Sequence, residues 1–311
     1  MNRFLTAGMG LLLLGSRPIQ AQDLPPITHT QVIGKQLAYQ MSERASRRPG
    51  APIVVFEGGV GAGTENFVPL LPGLSAAGIA WLTYARPGLS GSEPDPDVRT
   101  DAEVVARLHA LLKRERIAPP YLLVGHSLGG ALVRLFAATY PGEVAGLVLI
   151  DPTNFMLTAA DDERIRRESG SALGYRAVFT TMLRRGATDA AIPAHVRGDL
   201  LRAAEANQPD YFGEYQYLPP LPDVPVAVLL AYNSPVEGGE AALSRELQLN
   251  EPAWSAQVTK YRIQDFSALI ARNHHSVLQL LPGYVHVIHH MDPERVLGVI
   301  REVYQHAPAA R

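Results

Sequence analysis

Short apolar runs, each the length of one buried strand, recur along this chain with helix-length stretches between them. Residues 52–56 (PIVVF), 79–84 (IAWLTY), 121–124 (YLLV), 144–150 (VAGLVLI) and 226–230 (VAVLL) are continuous and not alternating. A strand with one wet face alternates apolar and polar side chains, whereas a strand covered on both faces does not. Runs of this kind interleaved with helices specify the α/β class, a mostly parallel central sheet flanked by helices. Residues 276–281 (SVLQLL) read as a last strand. Helices are expected over 101–115, 127–140 and 293–305, each with apolar residues three and four apart. Pro141-Gly142 closes the middle one.

With 311 residues, 47% of them hydrophobic, the chain can bury one sizeable core without splitting in two. One domain spanning 23–311 is expected, with a sub-domain inserted. Residues 153–222 carry no strand signal, are charged and helical at first and aromatic later, and read as a cap or lid between two strands. The stretch 211–217 (YFGEYQY) places four aromatic rings in seven positions. Two readings are open: the rings pack the cap onto the body, or Tyr211, Phe212 and Tyr215 line a substrate pocket. Residues 252–275 are expected to extend a helix after the strand at 226–230.

Residues 1–22 have the order of a secretory signal: one positive charge, a short apolar run, then small residues. Cleavage is expected after Ala21, giving a secreted or periplasmic protein with no membrane span in its mature chain. There is no cysteine, so disulfides, thiolate metal sites and a cysteine nucleophile are all excluded. The formal charge of −2, with Lys and Arg scattered, argues against a nucleic-acid partner, because such binding needs a basic face.

Gly125-His126-Ser127-Leu128-Gly129 matches G-x-S-x-G between a strand and a helix. In that context the pattern is a nucleophile elbow. The glycines permit a strained turn that lifts the Ser127 hydroxyl clear of the sheet, at the positive end of the following helix. An attacked carbonyl develops an oxyanion, which backbone N–H groups can stabilise. Leu128 offers one such group, and Val60, within the glycine-rich stretch 57–63 (EGGVGAG), is the candidate for the second. A phosphate loop is excluded there, since no Lys-Ser or Lys-Thr follows and the spacing is not G-x-G-x-x-G.

From about residue 53 to 304 the chain resembles the α/β-hydrolase superfamily, in particular its serine esterases and lipases. Gly58-Gly59-Val60-Gly61 resembles that family's oxyanion loop. Residues 85–92 (ARPGLSGS) resemble its Asp-Arg-x-Gly-x-Gly-x-Ser turn, with alanine in place of aspartate and an altered glycine spacing. The family's terminal histidine lies seven places before a proline, so Pro293 points back to His286, behind a Pro-Gly-x-Gly motif whose second glycine is here Val285. The resemblance implies Ser127 as nucleophile and His286 as general base, with the acid between them in the chain. Asp151, directly after the strand at 144–150, is the expected acid, with Glu237 and Glu240 as the alternatives. His126 is expected to orient the turn. His289 and His290 form an H-x-x-H-H cluster with His286, but the competing role of His286 and the lack of nearby carboxylates other than Asp292 argue against a metal. No metal or cofactor is expected.

A serine at the elbow argues against the aspartate-nucleophile branches of the fold, the dehalogenases and epoxide hydrolases. The expected activity is hydrolysis of a small-molecule carboxylic ester, or a related acyl bond, through an acyl-enzyme. Peptidase, lactonase, C–C hydrolase and perhydrolase chemistry use the same machinery. A non-catalytic, receptor-like binding protein on the same fold is the alternative from another class.

Overall fold

The computed structural model describes residues 24–43, 47–206, 212–232 and 243–308. Residues 1–22, where a secretory signal is expected, and Tyr211, Glu237 and Glu240 lie outside the described residues. Every apolar run singled out in the sequence is a strand: β3 (Ile53–Glu57), β4 (Trp81–Tyr84), β5 (Tyr121–His126), β6 (Val144–Ile150), β7 (Val226–Tyr232) and β8 (Val277–Pro282). Paired with one another, these six strands run parallel. The eight-stranded order is β1-β2-β4-β3-β5-β6-β7-β8, completed by β1 (Thr28–Val32) and β2 (Lys35–Met41).

Strands β1 and β2 form an antiparallel hairpin at one edge, which the search for continuous apolar runs passed over. Strand β1 is mostly exposed, and its sequence THTQV is polar. The signal that remains is the two-residue turn Ile33-Gly34, where both residues have positive φ (48° and 76°), the geometry that matches the twist of two antiparallel strands.

Side chains of the central strands alternate between two cores. Ile53, Val55, Tyr121 and Leu123 face a core completed by α2 (Asp101–Arg114), α3 (Leu128–Thr139) and α7 (Ala253–Ile270). Val54, Phe56, Leu122 and Val124 face the other, covered by α1 (Leu71–Ala76) and α9 (Pro293–His306), which follows the short α8 (Ile288–Met291). Thr100 and Glu103 form a reciprocal capping box at the start of α2. Of residues 252–275, expected to extend a helix, 253–270 form one helix that covers the sheet beside β7 and β8. Between β6 and β7 the chain forms α4 (Ala159–Ser169), α5 (Tyr175–Thr188) and α6 (Ala194–Ala206), with no strand among the described residues of 153–222.

Because β3, β5, β6, β7 and β8 are parallel, their carboxyl ends share one rim of the sheet. Ligands of open α/β sheets bind at that rim. Glycine-rich residues 58–63, the Ser127 turn, Asp151 and the loop before α8 all start there.

Candidate active site

Ser127 sits between β5 and α3 with φ 55° and ψ −121°, a conformation that non-glycine residues rarely adopt. Strain of this kind costs about 1–3 kcal/mol and persists only where the surroundings fix it. Here they do. The Ser127 N–H donates to Ile150 O at 3.0 Å, and the Ser127 carbonyl accepts from Gly130 N–H at 3.0 Å and Thr153 N–H at 3.1 Å. The two glycines of the motif are needed for close approach: a Cβ on Gly125 would lie 2.3 Å from Gly129 O, and one on Gly129 would lie 2.1 Å from Glu57 O. Leu128 opens α3, and the first N–H groups of a helix have no partner within it. On the opposite wall, a Cβ on Gly59 would lie 3.2 Å from Ser127 Cβ, so the glycine-rich loop runs directly beside the serine.

Asp151 follows β6 at once, also with positive φ (42°), its N–H donating to Leu229 O at 2.8 Å. Its Oδ2 meets His286 Nδ1 at 2.6 Å. Its Oδ1 accepts from Ala231 N–H at 2.9 Å and from Arg262 Nη2 at 2.6 Å. Burial by itself would raise the Asp151 carboxyl, but the Arg262 guanidinium and the His286 hydrogen bond outweigh it and hold the group below the usual carboxylate range. Arg262 comes from α7 and belongs to no motif; nothing short of the tertiary fold places it at Asp151.

His286 is half-exposed and lies in the loop after β8. With Nδ1 bonded to the carboxylate, Nε2 is left for a proton arriving from the rim. His126 braces it from behind: its Nε2 lies 3.1 Å from the His286 carbonyl, which can only accept, so the proton is on Nε2. The two rings are 4.7 Å apart. Burial, helped by His286, pushes His126 down to about 3, so it stays neutral. Ser127 Oγ and His286 are not hydrogen-bonded to each other in this structure.

A model of the alpha/beta hydrolase family matches residues 37–299. The chain belongs to this family. Among curated relatives it is 37% identical over 99 residues to the uncharacterised protein YqjL of Bacillus subtilis, which is 32% of this chain and 39% of that protein. It is 32% identical over 124 residues to (lyso)-N-acylphosphatidylethanolamine lipase of Mus musculus, 40% of this chain and 36% of the lipase. These matches span less than half the length of either relative. Among solved structures, epoxide hydrolase A of Mycobacterium thermoresistibile superposes with a TM-score of 0.61 at 17% identity, covering 92% of this chain and 100% of that one. A thermophilic esterase of Thermogutta terrifontis superposes at 0.53 and 19% identity, covering 90% and 97%. At such identities the likeness concerns the fold.

Other sequence-picked residues of this hydrolase-family chain are also located. Phe212 is buried, 5.4 Å and edge-on from Tyr215 and 6.1 Å from Phe179. The Tyr215 hydroxyl donates to Asp101 Oδ2 at 3.0 Å, and its ring lies 5.3 Å from Phe155. The Tyr215 hydroxyl on Asp101 joins the insertion to the body, while the ring contacts lie within residues 153–222. His289 is fully buried, 4.6 Å from the His126 ring and 5.2 Å from Phe67, and burial lowers its pKa well below that of a free histidine. His290 turns the other way and donates from Nε2 to Asn66 O at 2.9 Å. Among the described residues no group of three His, Asp or Glu side chains is arranged to hold a metal ion, and no helix is long and apolar enough to cross a membrane.

Proposed function

We propose that this protein is a serine hydrolase that cleaves carboxylic esters through an acyl-enzyme, with Ser127, His286 and Asp151 as its triad. The observation that carries the reading is the 2.6 Å contact of His286 Nδ1 with Asp151 Oδ2, on the same sheet rim as a serine held at φ 55° on a helix N-terminus. A base oriented by a buried carboxylate, on the same rim as a strained, half-buried serine, supports acyl-transfer chemistry.

In the first half-reaction Ser127 Oγ attacks the acyl carbon while its proton passes to His286 Nε2. The carbonyl π pair moves to oxygen, and the N–H groups of Leu128 and Val60 receive that charge. The tetrahedral adduct reforms its carbonyl, the ester C–O bond breaks, and His286 returns the proton to the departing alcohol. Water then repeats the sequence on the acyl-enzyme, giving the acid and free Ser127. Asp151 keeps the imidazole tautomer fixed and stabilises the imidazolium without taking the proton. Ser127 supplies a hydroxyl, so the covalent intermediate is an ester of the serine.

A fluorophosphonate probe tests this directly. One stoichiometric adduct on the natural protein, absent from Ser127→Ala, and turnover of members of a panel of chromogenic esters graded by chain length are expected. A protein that is neither labelled nor active on any ester of the panel is a binding protein on a hydrolase fold, and the reading fails.

A further inference from the structure

The residues that hold the glycine-rich loop come from two distant places. Arg86, in the turn after β4, is buried and spreads its guanidinium under the loop. Its Nη1 donates to Gly58 O at 2.8 Å and to Glu57 Oε1 at 2.6 Å; its Nη2 donates to Gly59 O at 2.5 Å and to Asp199 Oδ2 at 2.8 Å. Asp199 belongs to α6, within the insertion between β6 and β7. The same Oδ2 accepts the Gly61 N–H at 2.7 Å. Both charges are held: burial by itself would neutralise Asp199, yet Arg86 and Arg202 keep it ionised, and Asp199 with Glu57 raises the Arg86 guanidinium.

Peptide geometry turns these contacts into an orientation. In a trans peptide the carbonyl of one residue and the N–H of the next point in opposite directions. With Gly58 O and Gly59 O fixed toward Arg86, the N–H groups of Gly59 and Val60 must point away from it. Gly59 lies against Ser127 on its other side, within 3.2 Å of Ser127 Cβ for an added Cβ. The amides facing away from the guanidinium are those available to an oxyanion on Ser127.

We propose that Arg86 and Asp199 form a strut through which the insertion sets the orientation of the oxyanion-binding amides, so that docking of α6 completes the catalytic site. Neither residue touches the reacting atoms; both are positioning residues. The proposal rests on the serine-hydrolase reading. The carboxylates that hold Arg86 are Glu57 on β3 and Asp199 on the insertion, which reaches the loop that it helps to shape.

The test is Asp199→Asn, with kcat and KM measured per active site titrated by a fluorophosphonate, beside the affinity for a boronic acid that forms a tetrahedral adduct on Ser127. Removing one oxyanion donor lowers kcat by about 10²–10³-fold in such sites. A misoriented amide is expected to lower kcat by 10-fold or more, leave KM within a factor of about three, and weaken the boronic acid in proportion to kcat/KM. A merely structural role would reduce the number of titratable sites and leave kcat per site unchanged, and that result overturns the strut. Arg185→Gln is the control: Arg185, on α5 of the insertion, pairs with Glu246 and with no atom of Asp199 or of the loop, so it is expected to leave kcat per site unchanged. If Asp199→Asn does not fold, Arg86→Lys carries the test, since it keeps the charge but cannot fork to both carbonyls, and full kcat in that variant overturns the proposal. A natural protein that neither labels nor turns over ester is a different failure, that of the serine-hydrolase reading.

Discussion

Replacing Asp151 by asparagine removes two interactions at once, and the structure separates them. The Oδ2 contact to His286 fixes the imidazole for chemistry, and its loss is expected to lower kcat by about 10⁴-fold, as the loss of an orienting carboxylate does in serine hydrolases. The Oδ1 contact at 2.6 Å neutralises Arg262, whose side chain is only 14% exposed. Charge centres about 4 Å apart attract by ~4 kcal/mol at an effective dielectric of about 20. That agrees with the ~3–5 kcal/mol cost of leaving one member of a buried pair alone. For a chain of this size the melting temperature should fall by about 6 °C. The assay is a double-mutant cycle by thermal unfolding and ester hydrolysis over Asp151→Asn, Arg262→Met and both together. The double variant is expected to recover most of the lost stability and none of the lost activity. The reasoning would be refuted by an Asp151→Asn enzyme that keeps its kcat, or by a double variant with the summed instability of its two parents.

Buried neutral histidines make stability depend on pH. His126 is lowered from 6.5 to about 3 and His289 is also lowered, so the unfolded chain takes up these protons first; stability is complete above about pH 6.5 and falls below it, by up to ~1.4 kcal/mol per unit for each. Denaturant unfolding at pH 7.5, 6.0 and 5.0 should show that slope, and His289→Gln should reduce it; a flat profile would contradict the burial argument. Gly129→Ala should lose at least ~1–3 kcal/mol and nearly all activity, because its Cβ would lie 2.1 Å from Glu57 O; a fully active, equally stable variant would show that the elbow can relax. Ser127→Ala should abolish hydrolysis and probe labelling with little change in melting temperature. Export is proposed from the first twenty-two residues, so N-terminal sequencing of protein recovered outside the cytoplasm should begin near Gln22, and retention of Met1 would argue against it.

What the sequence determined by itself was whatever a local pattern can carry. Continuous apolar runs marked the parallel strands because strands covered on both faces have no polar alternation, and that same criterion missed the edge hairpin of β1 and β2, where the signal is a turn. The elbow was legible because its serine and two glycines stand within five residues between a strand and a helix, and His286 because its distance to Pro293 is fixed along the chain. The tertiary structure decided what depends on convergence from afar. Asp151 and Arg262 stand 111 positions apart and Arg86 and Asp199 stand 113 apart, with no composition or period linking either pair. The choice of Asp151 as the carboxylate on His286 follows from which strand end lies beside the loop after β8. The place of Tyr215 likewise depends on Asp101, which offers its hydroxyl a buried acceptor from α2. Side-chain chemistry and spacing set the elements; which charged groups meet inside was set by how the sheet order brings their ends together, where burial makes each such meeting obligatory.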